Sequence, residues 1–153
     1  MRVLMTGGGT AGHINPALAI AGKIKQAHPQ AEILFVGAKG RMETQLVPQA
    51  GYPIKTVDVR GFQRRLSLKN VGRNLSAAVH AVTAEVEAGR IIRDFSPDIA
   101  IGTGGYVCGP VLRKAAKRGI PVLVHESNAF PGVTVKLLAK DAAAVMIADE
   151  AAK

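Results

Sequence analysis

At 153 residues the chain holds one domain with a sizeable core and too little sequence for two ordinary ones. Apolar residues make up 48% and aromatics 4%, with no Trp, which argues for an aliphatic α/β core over an aromatic-rich sandwich. The net charge of +9 favours polyanionic partners such as nucleic acid, phosphorylated ligands or an anionic membrane surface. The single cysteine, Cys108, excludes an internal disulfide and fits a reducing compartment.

The chain opens on an expected strand, 3–6, which runs into Gly7-Gly-Gly-Thr-Ala-Gly12. Arg2 and three apolar residues before the glycines do not make a signal peptide, and no apolar run nears the ~20 residues of a membrane-spanning helix. A helix is expected over 16–27, with Asn15 as its cap and Pro16 at the first helical position, where a missing N–H costs nothing. A strand at 32–36 leads past Lys39 and Arg41 into a helix near 41–50. The next strand, 54–59, enters Arg60-Gly-Phe-Gln-Arg-Arg-Leu-Ser-Leu-Lys69, which mixes basic and apolar side chains. A long helix follows over 68–94, with Ser67 as its expected cap. Its Leu75, Val79, Val82 and Val86 recur every three or four residues, a stripe most simply packed on a sheet.

Ser96-Pro97 ends that helix and feeds a strand at 98–102. A second glycine turn, Gly102-Thr-Gly-Gly-Tyr-Val-Cys-Gly-Pro110, opens a helix near 109–118 with Pro110 in its first turn. A strand at 122–125, a helix near 132–140 and a strand at 144–147 complete the alternation. Nearly continuous aliphatic strands alternating with helices imply right-handed crossovers and a doubly wound, mostly parallel, Rossmann-like α/β sheet. Ligands in such sheets bind at the carboxyl ends of the strands, so loops 6–14, 103–109 and 126–132 form the candidate site.

The first loop satisfies G-x-G-x-x-G, and the helix behind it offers free N–H groups and a positive dipole end to an anion. A nicotinamide site would want a carboxylate at the end of the second strand, where the sequence reads Phe35-Val-Gly-Ala-Lys-Gly-Arg41 with no acid until Glu43. Lys39 and Arg41 keep a 2′-phosphate, and so an NAD(P)-dependent oxidoreductase, as an alternative. The second glycine turn is not required by a plain dinucleotide fold and points to a second phosphate or one large phosphorylated ligand.

Three motifs together, GGGTAGHINPALA at 7–19, GTGGYVCGP at 102–110 and HESNAFPGVTVKLLAK at 125–140, resemble the amino-terminal domain of the MurG family of bacterial N-acetylglucosaminyltransferases. Arg41-Met-Glu43, Leu46-Val-Pro48 and Gly61-Phe62 extend the likeness along the chain. The resemblance implies half of a GT-B architecture, with residues 1–153 as the acceptor-binding domain and a carboxy-terminal donor-binding domain outside this chain. It implies transfer of N-acetylglucosamine from UDP-N-acetylglucosamine to the 4-hydroxyl of the muramoyl sugar of lipid I, giving lipid II with inversion. It implies no cofactor and no metal, and a chain that does not turn over alone. Three positions depart from the family pattern: Ala11 for Gly, Ser127 for Gln in His-Glu-Gln-Asn, and Val135 for Asn.

By the same resemblance His13 is the candidate general base, with a reference pKa near ~6.5, although a purely binding or packing role stays open. Glu126 is a weaker alternative base, equally able to make a structural hydrogen bond or orient His125. Thr10, Ala11, Gly12 and Asn128 correspond to donor contacts. Gly8, Gly9, Gly104, Gly105, Tyr106 and Gly109 correspond to the acceptor diphosphate site. Cys108 reads as a small loop filler, and His28 and His80 as surface histidines. Phe62, Arg64, Arg65, Leu66 and Lys69 are the candidate membrane contacts, placing the protein peripherally on the cytoplasmic face of the plasma membrane. A non-catalytic membrane adaptor for a partner transferase is the remaining alternative. Nucleic acid is disfavoured because stacking aromatics are scarce.

Overall fold

The computed structural model describes residues 1–59 and 68–152, and the side chains of all of these except 68–79 and 152. Six strands form one parallel sheet: β1 (Arg2–Thr6), β2 (Glu32–Ala38), β3 (Ile54–Val57), β4 (Ile99–Gly102), β5 (Val122–Glu126) and β6 (Ala144–Ile147). Their order is β3-β2-β1-β4-β5-β6, so the winding reverses between β1 and β4. That reversal opens a crevice at the carboxyl ends of β1 and β4, the place where such sheets take ligands. The doubly wound α/β fold expected from the strand–helix alternation is the fold found.

Alternation along β1 divides the core. Val3 and Met5 face α1 (Ala11–Ala27) and α2 (Glu43–Gln49), packing with Ile14, Ala17, Phe35 and Val47. Leu4 faces α3 (Leu68–Phe95), α4 (Cys108–Ala116) and α5 (Val133–Leu138), packing with Val36, Ala88, Ile92, Val111 and Leu112. Each of these side chains larger than alanine contributes about 1.5–3 kcal/mol on removal from water, before entropy is counted. Both faces are covered, which is why the strands read as unbroken aliphatic runs.

Two sequence expectations are corrected. Helix α1 begins at Ala11 rather than at Pro16; Thr10 is its N-cap residue, with φ −143° and ψ 155°, and Pro16 lies inside the helix. The five-residue advance brings the Thr10–His13 stretch into the helix start, so His13 sits on the first turn and not in a loop. The apolar stripe of α3 does not pack on the sheet at Val82 and Val86, which are 66% and 51% exposed. The buried face is instead Ala84, Ala88 and Ile92, and the two small alanines let the helix lie close to α4, where Gly89 meets the Lys114 stem. Ser67 and the candidate membrane residues Phe62, Arg64, Arg65 and Leu66 lie outside the described residues, as does the side chain of Lys69.

Helix α3 stops where Ser96-Pro97 requires it. The Ser96 N–H donates to the Ile92 carbonyl at 2.8 Å while Ser96 itself turns to φ +48°, and Pro97 then cannot continue a helix.

Candidate active site at the reversal of the sheet

The two glycine loops leave β1 and β4 side by side and touch. The Gly8 N–H donates to the Gly104 carbonyl at 3.3 Å, and a Cβ on Gly105 would fall on the Gly8 carbonyl oxygen. Gly104 and Gly105 adopt φ +112° and +89°, a region that L side chains rarely enter. At Gly104 the requirement is also spatial, since a Cβ there would stand 2.6 Å from Nδ1 of His13. The second loop is thus bare where the imidazole lies against it.

His13 is half-buried and held from both ends by Thr103, itself buried. The Thr103 hydroxyl donates to the His13 carbonyl at 2.6 Å, and His13 Nδ1 lies 3.2 Å from the Thr103 carbonyl. A carbonyl can only accept, so Nδ1 carries the proton in this contact and Nε2 is left as the basic nitrogen of the neutral ring.

The amides of the first loop divide into two sets. Gly8 and Gly9, expected to bring N–H groups to a diphosphate, turn both inward: Gly8 to Gly104 as above, and Gly9 to Oε2 of Glu43 at 3.0 Å. The N–H groups of Ala11 and Gly12, at the start of α1, have no acceptor among the described residues. Those of Gly105, Tyr106 and Gly109 at the start of α4 are likewise without one. Tyr106 is 56% exposed.

The third loop closes on the same crevice. Glu126 is buried at the end of β5. Its Oε1 accepts the Asn128 N–H at 2.9 Å and side-chain amide at 2.7 Å, and its Oε2 accepts the Gly132 N–H at 2.9 Å. Burial pushes this carboxyl upward, but the hydrogen bonds from Gly132 and Asn128, with the charge of His13 nearby, outweigh it and hold Glu126 below the usual carboxylate range. The carboxylate shapes loop 126–132 and is poorly suited to take a proton. It does not orient His125, whose Nδ1 faces Ser127 Oγ at 3.3 Å. Asn128 is exposed, and keeps its carbonyl oxygen and one N–H for other partners. Ala11 is exposed at the helix start, whereas Val135 is buried on the core face of α5.

Cys108 lies beneath the second loop with Sγ 3.0 Å from the Gly104 carbonyl and 3.3 Å from that of Thr6. Burial raises its thiol to about 11, which makes it inert packing, as its sequence context suggests. Glu43, the first carboxylate after β2, is fully buried with both oxygens on backbone amides. It cannot also hold ribose hydroxyls.

The chain matches the Glycosyltransferase family 28 N-terminal domain over residues 3–147. It belongs to that family. Among curated relatives it is 57% identical, over 138 residues, to the UDP-N-acetylglucosamine--N-acetylmuramyl-(pentapeptide) pyrophosphoryl-undecaprenol N-acetylglucosamine transferase of Ruminiclostridium cellulolyticum, covering 90% of this chain and 37% of that protein. It is 50% identical over all 153 residues to the transferase of the same description from Limosilactobacillus fermentum, covering 40% of that protein. The crystal structure of Acinetobacter baumannii MurG superposes with a TM-score of 0.82 at 34% identity, over 96% of this chain and 41% of that one. The family 28 chain therefore spans about two fifths of the length of the relatives it matches. No helix among the described residues is long and apolar enough to cross a membrane.

The residues that sequence reasoning missed are Thr103 and Glu43. Neither stands in a glycine motif as a ligand, and each acts by holding a neighbour that does. A Thr directly before Gly-Gly and a lone acid after two basic residues were the available signals.

Proposed function

We propose that the chain is the acceptor-binding domain of an inverting N-acetylglucosaminyltransferase that acts on UDP-N-acetylglucosamine and lipid I. The observation that carries this reading is the juxtaposition of the Thr103-held imidazole of His13 with outward amides from both glycine loops. The 50–57% identity to transferases of that description supports the substrate pair.

The reaction is a single displacement. The muramoyl 4-hydroxyl attacks the anomeric carbon, its proton passes to Nε2 of His13, and the anomeric C–O bond breaks toward UDP, which leaves with the electron pair. The amides of Gly104, Gly105, Tyr106 and Gly109 meet the acceptor diphosphate at the start of α4. Thr10, Ala11 and Gly12 face the donor sugar across the crevice, joined by the free atoms of Asn128. Gly8 and Gly9 shape the loop instead of contacting phosphate. In this reading the donor-binding domain corresponds to the part of the relatives that this chain does not match.

The polyprenyl tail of the acceptor calls for work at a membrane surface, which this reading takes as the cytoplasmic face of the plasma membrane. Attachment through 60–69 is supported by its basic and apolar composition and by Val82 and Val86 standing exposed on the helix that follows. Each basic side chain near anionic lipid contributes ~1 kcal/mol. Co-sedimentation with vesicles rises with anionic lipid and falls on charge reversal at Arg64 and Arg65; indifference to both overturns the attachment.

The test of the reaction is turnover with the donor-binding domain of a relative added in trans. Lipid II formation that disappears in His13→Ala supports the proposal. Turnover that survives that substitution leaves only an anchoring role, and saturable NADH or NADPH binding instead of transfer replaces the reading with an oxidoreductase.

A further inference from the structure

Glu43 is wholly excluded from solvent, although it follows the exposed Lys39-Gly-Arg-Met42 turn. Its Oε1 accepts the Ala38 N–H at 2.9 Å, at the end of β2, and its Oε2 accepts the Gly9 N–H at 3.0 Å, in the first glycine loop. The side chain occupies the space that Cβ atoms on Gly8 and Gly37 would need, with its Cγ 2.6 Å from the latter position. No cation pairs with it among the described residues. Backbone amides alone satisfy it, and a buried carboxylate so bound is costly to disturb. Its charge reaches the second loop as well, adding to the burial that lifts the Cys108 thiol.

Turning the Gly9 peptide inward has a geometric result. With that N–H fixed to a buried oxygen and Gly9 at φ +84°, the chain enters α1 through Thr10, and the Ala11 and Gly12 amides stand without an acceptor among the described residues. We propose that Glu43 is a positioning residue that clamps the first glycine loop to the end of β2, and so aims the first-turn amides of α1 into the crevice and, through the Gly8–Gly104 hydrogen bond, seats the second loop that meets the acceptor diphosphate. This rests on the reading that those amides and His13 serve the transferase site. The clamp has no need of the catalytic histidine, so it can be tested separately from the chemistry.

The experiment uses the 153-residue chain labelled with ¹⁵N, the variants Glu43→Gln and Val47→Ala, and a lipid I analogue with a short soluble tail. Glu43→Gln keeps the shape but sets an NH₂ against a backbone donor. Val47→Ala opens the same core from the same helix without touching the loop. Glu43→Gln is expected to speed exchange of the Gly9 amide relative to the β1 amides and to weaken the analogue about tenfold, the size of one charge-assisted hydrogen bond. Val47→Ala lowers Tm while leaving the relative Gly9 exchange and the affinity unchanged. Wild-type Gly9 exchange in Glu43→Gln overturns the clamp, as does equal weakening of the analogue by both variants. An unmodified chain that fails to bind the analogue overturns the transferase reading, and the Gly9 exchange then decides the clamp by itself.

Discussion

Thr103 and His13 hold each other through two hydrogen bonds that run in opposite directions, hydroxyl to carbonyl at 2.6 Å and imidazole to carbonyl at 3.2 Å. The pairing crosses from the loop after β4 to the first turn of α1, so it joins the two halves of the sheet at its reversal. It also selects the ring tautomer, and with it the nitrogen able to accept a proton.

The neutral imidazole of His13 is therefore the Nδ1–H form, and long-range ¹⁵N–¹H correlation spectra of the chain will show it. With a donor-binding domain in trans, His13→Ala lowers turnover by about 10²–10⁴-fold, the usual range for loss of a general base. Thr103→Val strips the donor from the His13 carbonyl but keeps the carbonyl that meets Nδ1. It costs about 1–3 kcal/mol of stability in urea unfolding without changing the tautomer.

Two glycines with positive φ separate backbone cost from steric cost. Gly9→Ala meets nothing within 4 Å and pays only for the left-handed conformation, about 1–2 kcal/mol. Gly105→Ala carries the same conformational cost and also drives a methyl group into the Gly8 carbonyl, adding about 1–3 kcal/mol. Chemical denaturation of the two variants will rank them in that order.

The folded-state value of Glu126 is depressed below 4.5, so its contribution to stability is fully present above that pH and is lost as pH falls through the lower, folded value. Glu126→Gln will be less stable than the unmodified chain near neutrality, with a gap that closes in acid. Thermal unfolding across that range measures it, and the loss should appear first as disorder of loop 126–132.

Cys108 will resist thiol reagents at pH 8, because its thiol stays protonated until about 11 and the residue is buried. Labelling should follow unfolding, rising with urea in step with the loss of secondary structure.

The fold was legible because both faces of the sheet are covered: runs such as Ile33-Leu-Phe-Val36 have no polar alternation to confuse them with loops. The start of α1 was not legible. Asn15-Pro16 is a strong local signal, yet the chain turns helical at Ala11, where Thr103 and the second glycine loop hold its first turn. Long-range contacts of this kind leave no local pattern. The α3 stripe misled for a related reason, since Ala84, Ala88 and Gly89 lie on the buried face and larger Val82 and Val86 lie outside. Close helix packing selected small residues there. In the site, the glycine loops and His13 were visible as motifs, whereas the inward turn of the Gly8 and Gly9 amides depends on Gly104 and Glu43, which only the fold brings near.

The most direct measurement is titration of the ¹⁵N-labelled chain with a soluble lipid I analogue, following every backbone amide. Saturable shifts at Gly104, Gly105, Tyr106 and Gly109, with smaller ones at Ala11, Gly12 and His13, are the predicted result. Saturable shifts confined to the opposite end of the sheet, or none at millimolar analogue, would contradict the assignment of this crevice as the acceptor site.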